Sequence, residues 1–335
     1  MKFHLCFLFL LVGFSTAFIP TRLLTFFSGA WSSLNHKVIT QAGLWCSVIE
    51  FLKTNPNYVN KIRADELASV NTARLLEGSV SSRLFRLVKS SKFQDAVKEI
   101  EYANAAVDKN EAKKSAAHFD AEQFREGSKR LIRLKKQVVS LIKMADYTKA
   151  RKDAGTLLHT LQDFYSHSNW IESGNNDPLS ILGDEIISES NIAGTNEKTC
   201  NDCTSASFAH LLGLGTDDCQ NNLLNTGKLT SGYYDVAKPV GVGKCSHGGI
   251  FDKSRKFDAK GGINKDASLR YLSPHYRRHQ PAARVAIKAT KLFFDSIRRD
   301  VGDTKFATFL NMEALRTLSF AIDTSGSMSV ESCDV

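Results

Sequence analysis

Apolar residues recur at helical spacing through much of the chain. Between residues 37 and 53, Val38, Ile39, Ala42, Leu44, Trp45, Val48, Ile49 and Leu52 fall three and four apart, which predicts an amphipathic helix. Residues 81–106 repeat the pattern more weakly, in pieces. Residues 121–143 carry it most clearly. Phe124, Leu131, Leu134, Val138, Leu141 and Ile142 make one face, while Arg125, Lys129, Arg130, Arg133, Lys135 and Lys136 largely take the other. That basic run reads as a solvated helix face rather than a lipid-binding stripe. Residues 147–171 predict another helix. Pro274 opens the last one, with Ala283, Ala286, Ile287, Leu292, Phe293 and Ile297 as its buried stripe. Residues 172–270 lose the period and are rich in Gly and Asn, so they read as a long loop insertion. Leu318–Ile322 is a short apolar strand candidate ending at Asp323. The expected fold is mostly α: a helical bundle interrupted by one insertion.

The first 17 residues differ from the rest. Lys2 precedes an apolar run from Leu5 to Phe14, and Ser15-Thr16-Ala17 then offers small residues. The run is too short to span a bilayer with margin, so 1–17 is expected to be a signal peptide. No later stretch is long and apolar enough for a transmembrane segment, and a secreted, extracellular protein is expected. Net charge is +9, with 44 basic against 35 acidic residues and 42% apolar residues. That composition excludes a disordered or collagen-like chain. It permits an anionic partner without demanding one. Cysteines fit an oxidising compartment. Cys200, Cys203, Cys219 and Cys245 cluster in the insertion and favour two disulfides, with the pairing open. A zinc knuckle is the weaker reading, because Cys219 and Cys245 lie far apart. Cys46, on an apolar helical pattern, is expected to be a buried thiol.

The histidines supply the candidate chemistry. His159, Asp163 and His167 are spaced four apart within LLHTLQDFYSHSNW. Each four-residue step on a helix turns about 400°, an offset of about 40°, so these side chains share a face. Two imidazoles and a carboxylate form an N/O ligand set suited to zinc. The bland alternative is a polar helix face with ordinary histidines. His36 and His118, each expected at a helix start, and the His275/His279 pair, four apart, point instead to a histidine-lined cleft.

The segments NHKVITQAGL, AAHFDAEQF, LLHTLQDFYSHSNWIE, GKCSHGGIFD, GGINKDA, SPHYRRHQPAA and FAIDTSGSM follow one another over roughly residues 30–330. Together they resemble the N-terminal region of the von Willebrand factor A domain-containing protein 7 family. That region is similar to the heterokaryon-incompatibility C domain and, more remotely, to the zinc-dependent phospholipase C and single-strand nuclease fold. The resemblance implies a helical domain over 30–312 holding a zinc cluster, with the insertion at 172–270. His36, His118, His159 and Asp163 match ligand motifs of the remote fold. His167 departs from it in spacing, and His275 with His279 stands where those enzymes carry a His-x3-Glu pair. Trp31 is not assigned. Asp120 and Asp65 are candidates for a general base.

Near the C-terminus, Asp323-Thr-Ser325-Gly-Ser327 resembles the magnesium-binding loop that follows the first strand of a von Willebrand A domain. Residues 316–335 are expected to be the start of such a domain, truncated. The later loops that complete its magnesium site are not expected here. Two functions of different class follow. One is a secreted zinc-dependent hydrolase acting on phospholipid or another phosphodiester. The other is a non-catalytic extracellular interaction protein whose helical domain is stiffened by metal and binds a protein partner.

Overall fold

The computed structural model describes residues 33–55, 91–204 and 219–312. The proposed signal peptide, Trp31, Asp65, the Leu318–Ile322 strand, the Asp323/Ser325/Ser327 motif and Cys333 lie outside the described residues.

The described chain is mostly helical. Helix α1 is His36–Thr54, α2 is Ser91–Asn110, α3 the short Ser115–His118, and α4 is Phe124–Lys143. Helix α5 is Tyr147–His167, α6 is His279–Val301, and α7 is Asp303–Phe309. Among the described residues extended pairing is limited to isolated bridges, including Ser168 with Ser231 and Tyr233 with Ser246.

Local chemistry sets the helix starts. The Asn35 side chain accepts from Val38 N at the head of α1, and Asp146 does the same for Lys149 N at the head of α5. Helix α5 is the central element and packs against α2, α4 and α6, while α6 also packs on α1. Most of its second half is buried, from Leu157 through His167. Phe51, Phe93, Phe119, Phe124, Phe164, Phe294 and Phe306 fill the surrounding core, all fully buried. At about 1.5–3 kcal/mol for each fully buried large side chain, this core is the main source of stability.

Gly155 sets one crossing. A Cβ there would collide with the Ile100 carbonyl oxygen and Asn104 N on α2. Glycine therefore lets the α5 and α2 backbones approach closely, one turn before His159.

The structure redraws some predicted boundaries. Pro274 does not open α6: a 3-10 turn spans Tyr276–Arg278 and the helix begins at His279. The helix expected to run to 171 stops at His167. Ser168 is extended and Asn169 N donates to Thr230 O at 3.0 Å, so the backbone bonds across to the insertion instead. His118 ends its short helix rather than starting one.

The described part of the insertion, 172–204 and 219–270, is largely irregular but cross-linked. Cys200 pairs with Cys245 and Cys203 with Cys219. Cys46 is a buried thiol outside both disulfides. No helix among the described residues is long and apolar enough to cross a membrane.

Candidate metal centre

Every histidine among the described residues is buried. Five of them converge with four aspartates in two neighbouring groups beneath α5.

The first group forms where α1, α2, α3 and α5 meet. Asp163 lies at its middle. Its Oδ1 is 3.1 Å from His36 Nε2, and its Oδ2 is 2.9 Å from His118 Nδ1 and 3.0 Å from His159 Nε2. His159 Nε2 is also 3.1 Å from His118 Nδ1 and 3.6 Å from Asp108 Oδ1.

The opposite side of each ring is fixed by a hydrogen bond. Asn104 Nδ2 donates to Thr40 Oγ1 and Gln162 Oε1, which leaves Asn104 Oδ1 to accept from His159 Nδ1 at 3.1 Å. Gln162 Nε2 donates to Thr40 Oγ1 and Thr290 Oγ1, so its Oε1 accepts from His36 Nδ1 at 2.7 Å. His118 Nε2 donates to the Glu111 carbonyl at 3.3 Å. These bonds place the ring protons on the outer nitrogens. Three inner lone pairs then face one carboxylate with no proton between them.

Such an arrangement could hold a cation. Burial pushes the His159 imidazole down to about 3, against the pull of Asp163, so it stays neutral at physiological pH. Burial works to raise Asp163, but positive charge on the facing His159 and His36 rings, when they are protonated, outweighs it and holds the carboxyl well below its usual range; with neutral rings that positive charge must come from a cation. Asp108 goes the other way. Burial raises it well above normal, and the charges of Asp163, Asp266 and Asp120 add to the effect. Both Asp108 oxygens and Asp163 Oδ1 are buried without a hydrogen-bond partner. Stranded buried acceptors cost on the order of 1–3 kcal/mol each unless something pairs with them.

The second group is made by the end of α5 and three loops. His167 Nε2 and His247 Nε2 stand 3.0 Å apart, and each is 3.2 Å from an Asp266 oxygen. Asp120 Oδ1 lies 3.0 Å from His167 Nδ1. His247 Nδ1 donates to Gly248 O and His167 Nδ1 to His118 O, so again two lone pairs confront each other. Burial would lower His167, but without a cation Asp120 and Asp266 overcome it and hold the imidazole well above its usual value, in its protonated form; a bound cation would take the place of that proton. The pocket's negative charge thus favours a positive occupant.

Backbone bonds bring these loops to α5. Gly232 N donates to His167 O, Ala121 N to Gly232 O, Tyr233 N to Cys245 O and His247 N to Tyr233 O. A Cβ on Gly232 would strike the His247 backbone, so glycine permits this stacking. The loop bearing Asp120 is strained: Phe119, Ala121 and Glu122 have φ of 53°, 51° and 58°, a cost of roughly 1–2 kcal/mol each. Buried Lys244 and Thr230 hold the Glu122 carboxylate in place.

The donor chemistry fits a metal. His36, Asp108 and His159, then His118, His159 and Asp163, then Asp120, His167 and His247 each gather ligand atoms within 4.8 Å of one another. Donors bonded at about 2.0–2.1 Å to one tetrahedral ion stand about 3.3 Å apart. The observed 2.9–3.6 Å separations bracket that edge length.

The structure therefore brings together His36, His118, His159, Asp163 and His167. Asp120, expected as a base, sits among the ligand atoms of the second group. His275 and His279 stand apart. His275 lies between Glu172 Oε1 at 2.6 Å and Asn222 Oδ1 at 2.8 Å. His279 donates to Lys265 O and accepts from Leu34 N. Both rings use both nitrogens in hydrogen bonds, so neither has a lone pair to offer a metal. Asp108, His247 and Asp266 are participants that sequence reasoning did not select. His247 and Asp266 lie within the motifs GKCSHGGIFD and GGINKDA, and Asp108 follows Glu101 and Asn104 on the buried stripe of α2.

An open groove of about 830 Å³ runs beside the second group. Ala116, Ala121, Gln123, Tyr233 and Pro239 are among its lining residues. Tyr234, next to Tyr233, packs edge-on against His247 with ring centroids 5.0 Å apart.

The family described as the VWA7 N-terminal domain matches residues 70–307. Human von Willebrand factor A domain-containing protein 7 is 35% identical over 315 residues, 91% of this chain and 34% of its own length. The mouse protein of that name is 40% identical over 247 residues, 72% of this chain and 26% of its own. The chain thus spans about a third of the length of the curated relatives it matches. No solved structure matches it.

Proposed function

The chain belongs to the VWA7 N-terminal domain family, and from that premise we propose that its helical core is a zinc centre built to cleave phosphodiester bonds. The observation that carries the reading is the meeting of inner imidazole lone pairs around buried Asp163, with their outer nitrogens tied to Asn104, Gln162 and the Glu111 carbonyl. Neutral imidazoles and carboxylates at these separations suit zinc better than magnesium, which prefers oxygen donors.

In this reading His36, Asp108, His118, His159 and Asp163 hold one part of the cluster, and Asp120, His167, His247 and Asp266 the other. Bound zinc lowers the pKa of coordinated water and polarises a phosphoryl oxygen. The remaining work falls to the protein. Asn104 and Gln162 hold the imidazoles in one tautomer. Ser166 Oγ donates to Asp266 and steadies that carboxylate. The apolar walls of α5 exclude bulk water. The groove past Ala121 and Tyr233, which adjoin Asp120 and Tyr234 in the chain, gives a substrate its approach. Phospholipid is the substrate class proposed, with other phosphodiesters as comparison substrates. Asp65 keeps its proposed role as a base by sequence alone. Secretion and the 30–312 domain boundary belong to the same proposal, and the disulfides are compatible with an extracellular location.

A second reading rests on the complete burial of His36, His118, His159 and Asp163. A site closed so tightly suits a metal that stiffens a non-catalytic scaffold, with an extracellular protein partner bound elsewhere. The relatives' name refers to a von Willebrand A domain rather than to an enzyme. Hydrolysis of phosphodiester and phospholipid substrates by the zinc-loaded chain, measured with and without chelator, tests the proposal. Chelator-sensitive turnover supports the hydrolase. Stoichiometric metal without turnover rejects hydrolysis in favour of the scaffold.

A further inference from the structure

Four of the eight large apolar side chains exposed among the described residues lie between 236 and 257, in two loops beside the groove. Val240 is 99% exposed and Phe257 67%, with Phe251 and Val236 less so. A side chain exposed to the extent of Val240 projects from the body of the protein and rests on nothing. These loops are nevertheless firmly held. Lys238 Nζ donates to Ser246 Oγ, Phe257 O and Ala259 O, which ties one loop to the other. Asp235 N donates to Asp252 Oδ1, and Lys253 N to Asp235 Oδ1. Cys245, between the loops, is anchored by its disulfide to Cys200. The apolar tips are thus presented on a rigid support.

The charges around them carry a small basic excess, concentrated between residues 253 and 260. Lys253, Lys256 and Lys260 are exposed, with Arg255 half-buried, against exposed Asp202, Asp235 and Asp258, of which Asp202 accepts from Lys260 N. Lysine is depleted at protein–protein interfaces, whose apolar cores are well packed and fill pockets on the partner. Isolated apolar tips flanked by lysines suit a different partner. The tips can enter the acyl boundary of a bilayer while the ammonium groups meet anionic headgroups.

We propose that the 235–242 and 250–260 loops form a docking surface for an anionic phospholipid membrane. The surface is distinct from the metal centre and does not depend on catalysis. The test is co-sedimentation of the full chain with vesicles of phosphatidylcholine alone and with added phosphatidylserine. Wild type should bind the anionic vesicles better, and added salt should weaken the binding. The V240S/F257S double variant should lose at least about tenfold in partitioning. Each of Lys253→Gln, Lys256→Gln and Lys260→Gln should lose roughly fivefold on anionic vesicles and little on neutral ones. Unchanged melting temperature and metal content show that these variants are folded. The proposal is overturned if wild type stays in solution with both vesicle types, or if the double variant binds as wild type does. A protein captured through these same side chains, without vesicle binding, also overturns it. Because metal content is read separately, this failure is distinguishable from failure of the metal reading.

Discussion

Replacing Asp163 with asparagine isolates the charge at the centre of the first group. Asparagine keeps the shape but removes the negative charge that faces three imidazole nitrogens at 2.9–3.1 Å. Four-ligand zinc sites in small domains bind with about 10–16 kcal/mol, so one ligand carries roughly 3 kcal/mol, or about a hundredfold in affinity. With free zinc a thousandfold above its dissociation constant, metal adds about 4 kcal/mol to folding stability. At roughly 2–4 °C per kcal/mol for a chain of this size, loaded and chelated wild type should melt about 8–16 °C apart. A hundredfold weaker site leaves about 1.4 kcal/mol of that linkage, a gap of roughly 3–6 °C. The assay is thermal melting with and without chelator, paired with elemental analysis. The chelator dependence is the diagnostic part. In the metal-free chain Asp163→Asn should not destabilise, because it removes an uncompensated buried charge and offers an amide donor to the facing lone pairs. If chelator leaves wild-type melting unchanged, or if the variant keeps both its metal and its full melting gap, the assignment of Asp163 is wrong.

Other expectations follow from the same structure. His159→Ala should lower metal content and melting temperature together, whereas His279→Ala should lower only the melting temperature, as read by elemental analysis and calorimetry. Glu172→Gln should cost about 3–5 kcal/mol in denaturant unfolding, because it leaves buried Lys265 without its carboxylate at 2.9 Å. Burial works to raise Glu172, but Lys265 and His275 hold it down at about 2, so its contribution is complete above its unfolded value near 4.5 and disappears as pH falls toward 2. Burial also depresses Lys265 itself, so the pair's net worth is smaller than the Glu172 shift alone. Wild type should therefore lose more stability between pH 4.5 and 2 than Glu172→Gln does. Reducing the Cys200–Cys245 bridge, which closes a 45-residue separation, should cost about 4 kcal/mol and release metal from the group containing His247. Metal retained in full after verified reduction would show that the bridge does not position that histidine. Gly155→Ala should destabilise by about 1–3 kcal/mol despite alanine's better helix propensity, because the α2 backbone blocks its Cβ; an unchanged unfolding midpoint would refute the close crossing.

The helices were legible because their apolar faces are periodic. The stripe of Leu131, Leu134, Val138 and Leu141 in α4 is buried as the spacing predicts. The four-residue step from His159 to Asp163 was legible for the same reason. His275 and His279 show where periodicity misleads. They have the same spacing, but a 3-10 turn separates them, and each ring is taken up by fixed neighbours. Asp108, His247 and Asp266 were not legible. Asp108 lies on a helix whose approach to α5 depends on Gly155. His247 and Asp266 sit in loops with no periodic signal, brought to α5 by long-range backbone bonds and a disulfide. The disulfide pairing was likewise open among the alternatives until loop geometry set it.

The central claim is that buried imidazoles and aspartates enclose metal, and elemental analysis of the purified, dialysed chain tests it most directly. The account predicts more than one zinc ion per chain, lost from Asp163→Asn and His159→Ala but kept by His279→Ala. A folded wild-type chain that carries no metal, and takes up none when zinc is supplied, would contradict it.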